Sequence, residues 1–262
     1  MTAHEMPHLD GKVAIVTGAS RGIGRNMAVA LADAGCAVVI AARSTDESPR
    51  LPGTIHSVAA RIAAAGGRAL AVPCDVTSEE SIAATVAATL ERFGRIDCLI
   101  NNAGVLWLAK TEQTPLKRWE LVLRVNLTGT FLFTKAVLPT MRAQRSGSLV
   151  AITTSGVLMT DAAKSGGSNA YWVSKAAVER LYAGLASELA PDGIAVNCLA
   201  PSGVVLTEGW QLASGGTKIP EAYVEAPEVM GAAAVVLAAQ DGRGITGQVL
   251  YSQQLLAEVR KS

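Results

Sequence analysis

Lys12-Val-Ala-Ile-Val-Thr-Gly-Ala-Ser-Arg-Gly-Ile-Gly24 is the stretch on which the fold turns. A short β-branched run up to Thr17 passes straight into a glycine-rich turn, and a helical pattern, Asn26-Met-Ala-Val-Ala-Leu-Ala-Asp-Ala34, follows. Glycine at 18 lets the chain turn sharply. At 22 it removes the side chain that would block a pyrophosphate, and at 24 it lets helix and sheet pack closely. The exposed amides of Ser20, Arg21, Gly22 and Ile23 then stand at a helix N-terminus, which is an anion site.

The same unit recurs along the chain. Gly35 stops the first helix, and Cys36-Ala-Val-Val-Ile-Ala41 is a second apolar strand. Further strands are expected over residues 69–72, 96–100, 148–153, 194–199 and 247–251. Helices are expected over 54–65, from about 77 to 92, over 116–141 with a break or bend near Asn126, and over 169–189 and 228–238. Thr77-Ser-Glu-Glu80 reads as a capping box. Continuous apolar strands alternating with helices signal a parallel sheet covered on both faces. Seven such strands in one series imply a single domain over residues 1–262, a three-layer α/β Rossmann fold. Residues 44–53 and 207–227 read as loops, and loops of that length are more often functional than decorative; the second is expected to close over a substrate.

Lys plus Arg number 23 against 22 Asp plus Glu, a net charge of +1, so there is no footprint for nucleic acid. Half of the residues are apolar, which excludes a disordered chain. No uncharged apolar run of about 18 residues is present, so no membrane span is expected, and residues 1–10 lack the pattern of a secretory signal. Cys36, Cys74, Cys98 and Cys198 are far apart and read as small buried hydrophobes in a reducing compartment, which points to the cytoplasm. His4, His8 and His56 are too scattered for a metal site.

The second strand ends in Ala42-Arg43-Ser44, with no carboxylate before Asp46. An acid there would bond a ribose 2′-hydroxyl and repel a 2′-phosphate. Two guanidiniums, Arg21 and Arg43, favour the phosphate, hence NADP in preference to NAD. Further on, Tyr171-Trp-Val-Ser-Lys175 places a phenol and an ammonium one turn apart on a helix face. A nearby cation favours phenolate and would make the tyrosine a usable general acid/base. The strand before it ends in Thr153-Thr-Ser-Gly156, hydroxyls at the end where α/β sheets bind ligands.

Taken in order, Thr17 to Gly24, Asp75-Val76, Asn101-Asn-Ala-Gly104, Asn126, Ser155, Tyr171-x-x-x-Lys175 and Asn197 with Pro201 resemble the short-chain dehydrogenase/reductase family over about residues 11–251. The resemblance implies hydride transfer between a nicotinamide cofactor and an alcohol/carbonyl pair. Tyr171 would exchange the proton, and Lys175 would tune it and hold the nicotinamide ribose. Ser155 would bond the substrate oxygen, and Asn126 would keep a water in a proton relay. Asp75 and the Val76 amide would meet the adenine, Asn102, Ala103 and Gly104 the adenosine, Val204 the carboxamide and Thr207 the phosphates, with Ser44 beside Arg43 at the ribose.

The chain departs from the family pattern in three places. Ser155 to Tyr171 spans about three positions more than is usual, so Lys164-Ser-Gly-Gly-Ser168 looks inserted, and counting from the strand would put Thr154 at the serine's place. Pro201-Ser202-Gly203 interrupts the common Pro-Gly pair and shifts the next threonine by one. Ser252-Gln-Gln254 replaces the usual Asp-Gly-Gly. Together with Leu51-Pro-Gly-Thr-Ile-His56, these features resemble, more loosely, a branch containing hydroxysteroid dehydrogenase-like proteins. Trp107 and Trp210 are candidates for the wall of an apolar pocket, so the expected substrate is a small apolar carbonyl or alcohol. Trp172 is expected to face outward. Ala176-Ala177 and Ala183-Gly184 would admit close helix approach, consistent with a homodimer or homotetramer. A nucleotide-binding sensor or scaffold with little turnover is the alternative reading.

Overall fold

The computed structural model describes residues 6–158 and 167–261. It carries one sheet in the order β3-β2-β1-β4-β5-β6-β7, every neighbouring pair parallel. The strands are β1 (Val13–Thr17), β2 (Ala37–Ala42), β3 (Arg68–Pro73), β4 (Cys98–Asn101), β5 (Gly147–Ile152), β6 (Ile194–Ala200) and β7 (Val249–Tyr251).

Period-two alternation sorts each central strand between two cores. Ala14, Val16, Val38, Ile40, Ile100 and Val150 point to one side. There they meet α1 (Gly22–Asp33), α2 (Ile55–Ala64), α8 (Pro227–Ala238) and α9 (Ser252–Val259). Ile15, Val39, Leu99, Leu149 and Val196 point to the other. They pack on α3 (Glu79–Phe93), α5 (Gly129–Gln144) and α6 (Asn169–Leu189). Ile15 is fully buried, and each such side chain contributes about 1.5–3 kcal/mol of transfer free energy. The seven-stranded, doubly covered parallel sheet expected from the sequence is the one found.

Several elements differ from expectation in detail. Helix α1 starts at Gly22, not Asn26; its first turn contains two glycines, poor helix formers that hide it from a propensity reading. The cap of α3 is Ser78, whose hydroxyl accepts from the Ser81 amide, while the Thr77 hydroxyl donates back to Asp75. The reciprocal capping box lies instead at α2, between Thr54 and Ser57.

The helix near Asn126 is not broken. α4 (Leu116–Leu123) continues through one π turn, Arg124–Thr128, into α5. The resulting 29-residue helix is long and apolar enough to cross a membrane, contrary to expectation, yet Val125, Phe133, Val137 and Met141 on it are buried in the second core. The 207–227 loop contains a short helix, α7 (Glu208–Ala213). Helix α9 follows β7 directly and was not foreseen.

Candidate active site

Between β1 and β4 the strand order reverses, so the loops leaving their carboxyl ends diverge and open a crevice. Gly18 turns there at φ +65°, and a Cβ on it would lie 2.8 Å from the Ala103 Cα. A Cβ on Gly24 would collide with the Asn102 amide and the Gly18 carbonyl. The Thr17 hydroxyl accepts from the Asn102 and Ala103 amides, each at 3.0 Å, and the Asn102 side chain donates to the carbonyls of Thr17 and Gly18. The Asn102 side chain therefore braces the turn, leaving its backbone, Ala103 and Gly104 to line the crevice.

Gly22, at φ +55°, faces the segment after β6: a Cβ there would meet Thr207 at 3.1 Å and approach Glu208. The cleft between them, about 190 Å³, is lined by Gly22, Arg25, Asn26, Leu206, Thr207 and Glu208 among others. A gap bounded by a helix N-terminus and closed by any side chain at position 22 fits a pyrophosphate. The Thr207 hydroxyl caps α7 by accepting from the Trp210 amide, and Arg25 pairs with Glu208 at 3.1 Å.

Val204 does not stand open for a carboxamide. Its amide donates to Tyr223 O and its carbonyl accepts from the Glu225 amide, a parallel bridge to Val224. The additional residue in Pro201-Ser202-Gly203 has carried it into that bridge, and Val205, whose carbonyl accepts from the Thr207 amide, follows as the next candidate.

Where the adenine is expected, one Asp75 oxygen accepts from both the amide and the hydroxyl of Thr77 at 2.9 Å. These bonds, the amide's foremost, hold the carboxyl below its usual range, with help from Arg43 and Arg124. Val76 packs on Gly129, where a Cβ would lie 2.9 Å from it. Arg21 is already committed. Its guanidinium donates to Leu51 O, Pro52 O and Gly53 O at 2.9–3.1 Å and to the Ser44 hydroxyl at 3.0 Å. Arg21 thus pins residues 51–53, and Arg43, exposed at the end of β2, is the cation left facing solvent there.

The catalytic candidates converge on α6. Lys175, 4% exposed, directs its ammonium to Ile152 O at 2.6 Å and lies 5.7 Å from the centre of the Tyr171 ring. Opposite, Gly104 is bare: a Cβ there would stand 3.4 Å from Asn126 Oδ1 and 3.8 Å from Lys175 Nζ. Asn126 sits in the π turn, where its side chain exchanges two hydrogen bonds with the Val105 backbone and donates to Ser174 Oγ. Asn126 and Lys175 therefore lie close together, and Gly104, expected at the adenosine, stands beside them instead.

The tuning of the phenol is corrected. Burial pushes Tyr171 up to about 12, and burial lowers Lys175 to about 8, partly offset by the neighbouring Cys198 and Glu179. The cation bonds to a strand carbonyl rather than to the phenol, so desolvation outweighs it.

Of the two serine candidates, Thr154 accepts from the Gly156 amide at 3.2 Å, leaving its hydroxyl proton to donate, and Ser155 opens the 3₁₀ turn Ser155–Leu158. Thr153 is buried and donates to Glu179. Lys164, Ser165 and Gly166 of the inserted run lie outside the described residues. Trp172 is half-buried, with its indole against Gly156, where a Cβ would come to 2.5 Å. Trp107 carries the Arg118 guanidinium 4.6 Å above its ring, and Trp210 is half-buried in α7.

The root of the loop is fastened by a knot the sequence did not announce. Buried Glu225 accepts from the Ser252 hydroxyl and from the Ser202 amide, and the Gln253 amide donates to the Ser202 hydroxyl. Ser252 thus does its work where the family pattern has Asp-Gly-Gly.

A crevice of this form, reached by a Tyr-x-x-x-Lys helix, defines a nicotinamide-binding oxidoreductase fold, and the chain belongs to the short-chain dehydrogenase/reductase family. Residues 12–214 match the model of short chain dehydrogenase. Hydroxysteroid dehydrogenase-like protein 2 of Danio rerio is 36% identical over 248 residues, 95% of this chain and 58% of that protein; the Bos taurus protein is 34% identical over 250 residues, again 95% and 58%. The chain spans about three-fifths of the length of these curated relatives. A protein assigned as a dehydrogenase from Xanthomonas campestris superposes with a TM-score of 0.87 at 38% identity, covering 97% of this chain and 91% of that one. A protein assigned as an NAD(P)-dependent gluconate 5-dehydrogenase from Beutenbergia cavernae, solved with NADP bound at low occupancy, gives a TM-score of 0.80 at 36% identity, covering 95% and 98%.

Proposed function

We propose that the chain is an NADP(H)-dependent oxidoreductase interconverting an alcohol with a ketone or aldehyde, with Tyr171 as general acid or base. The observation that carries this reading is the Tyr171–Lys175 pair on α6, with the Lys175 ammonium beside Gly104 and Asn126 across the crevice. A bound nicotinamide supplies or accepts the hydride. The chain's own residues do the rest. Held protonated by burial, Tyr171 is set to give a proton to a carbonyl oxygen. A hydroxyl from Thr154 or Ser155 donates to the same oxygen and stabilises its developing charge. Lys175 and Asn126 occupy the next positions along which the proton is replaced. Gly22, Ile23 and Thr207 hold the pyrophosphate, Asp75 the adenine, and Arg43 with Ser44 the 2′-phosphate.

An apolar substrate is supported by Leu206, exposed at the cleft, and by exposed Leu212 and half-buried Trp210 on α7, which follows it. Phe131 and Val173, exposed on α5 and α6, support a homodimer or homotetramer formed through those helices. We read the chain as one cytoplasmic domain.

The test is NADPH and NADH oxidation over steroid, aromatic and aliphatic ketones, with Tyr171→Phe beside the wild type. Turnover falling about 10²-fold or more in the variant, with cofactor affinity unchanged, is the expected result. Tight NADPH binding with no oxidation of any carbonyl, identical in both proteins, would overturn the reading in favour of a sensor.

A further inference from the structure

Glu179 lies one helical turn beyond Lys175 on α6, a half-buried carboxylate that none of the steps above uses. The Thr153 hydroxyl, at the end of β5, donates to its Oε1 at 2.5 Å. The preceding residue, Ile152, supplies the carbonyl that receives the Lys175 ammonium. Two consecutive residues, the last of β5 and the one after it, thus hold the lysine and the glutamate one above the other. Glu179 also borders a small cavity with Tyr182, Cys198 and Gln248, about 20 Å³, enough for one water. It forms no ion pair among the described residues.

We propose that Glu179 is a positioning residue of the active site, supplying the counter-charge for the Lys175 ammonium buried at Ile152. The groups facing this pair come from five places. Tyr171 and Tyr182 lie on α6 itself, Thr153 just past β5, Cys198 on β6 and Tyr251 on β7, while Asn126 faces Lys175 from the π turn. Burial pushes the Cys198 thiol up to about 12 and raises both Tyr182 and Tyr251, so all three are neutral at physiological pH. Among the described residues Glu179 is therefore the one carboxylate whose field reaches the lysine. Its own carboxyl is raised by burial and pulled back by the Thr153 bond and the lysine, as expected of a mutual pair. A cation one turn from the proton-donating phenol has to remain a cation through the working pH range, and burial opposes that. Glu179 offsets the opposition.

This inference rests on the oxidoreductase reading for its consequence, yet its electrostatic part is measurable without turnover. Glu179→Gln keeps the volume and an oxygen for Thr153 while removing the charge. In the full chain carrying ¹³Cε-labelled lysine, with the Lys175 resonance assigned by its loss in Lys175→Arg, the titration midpoint of Lys175 should fall by roughly half a unit to one unit in the variant. Glu179→Asp should recover part of that change, and Glu188→Gln, on the exposed side of the same helix, should leave the midpoint in place. In ketone reduction with NADPH, the alkaline limb of the kcat profile should move the same way, a loss of about threefold to tenfold on that limb, with KM little altered. Equal Lys175 midpoints in wild type and Glu179→Gln overturn the inference. Absence of turnover in the wild type overturns the oxidoreductase reading and leaves the midpoint comparison to decide this one.

Discussion

Replacing Lys175 with methionine removes a buried ammonium whose burden on the fold changes with pH, and the size of that change follows from its surroundings. Only 4% of the residue is exposed, and burial brings its pKa from an ordinary 10.5 to about 8. At neutral pH this costs the native state about 3 kcal/mol, taking ~1.4 kcal/mol per pKa unit. Between the two values the unfolded chain binds more protons than the folded one, so wild-type stability rises with pH through that window, and the full penalty applies below it. From pH 7 to pH 9.5 the wild type should gain about 2 kcal/mol relative to Lys175→Met.

The methionine leaves the Ile152 carbonyl without its donor, a cost of about 1–3 kcal/mol that does not depend on pH. The sign of the difference at any one pH is therefore undecided by these terms, and the slope is the quantity to read. Urea unfolding of both proteins at several pH values in that range measures it. A gap that stays constant across the range would refute the burial argument.

Other substitutions test the cofactor end and the serine position. Arg43→Ala should weaken NADPH binding by about 10- to 100-fold, one charged hydrogen bond, and leave NADH binding almost unchanged; Arg21→Ala should instead lower thermal stability, because it frees residues 51–53. Gly22→Ala, with positive φ and its Cβ at 3.1 Å from Thr207, should abolish binding of both dinucleotides, as read by titration of intrinsic fluorescence. Thr154→Val and Ser155→Ala compete for one role: the variant that loses about 10²-fold or more in kcat at unchanged cofactor affinity identifies the hydroxyl on the substrate oxygen. Equal, small losses in both would remove that role from the mechanism.

The sheet was legible because its signal is redundant. Residues of β1, β2, β4 and β5 are buried on both faces, so each reads as a largely apolar run whichever side it faces. What sequence could not reveal were commitments made across long separations. Arg21 reads as a free cation until the carbonyls about thirty residues away are seen to claim it. Val204 reads as open backbone until Val224 bridges it. The cap at Ser78 was missed by one position because Thr77 turns back to Asp75, a local competition between two hydroxyls and two partners. Helix α9 is two turns long, too short for periodicity to register. The pairing of Tyr171 with Lys175 was legible as spacing, but the direction of the phenol's shift depends on how deeply both are buried.

The knot at Glu225 ties α9 to the segment that leaves β6. Ser202, Glu225 and Ser252 are separated by 23, 27 and 50 residues pairwise, yet they share one buried carboxylate beneath the loop that spans the cleft. Ser252 is the first residue of α9. Unravelling the first turn of that helix would take the Ser252 hydroxyl from Glu225 and loosen the anchor of the segment leaving β6, fifty residues back along the chain.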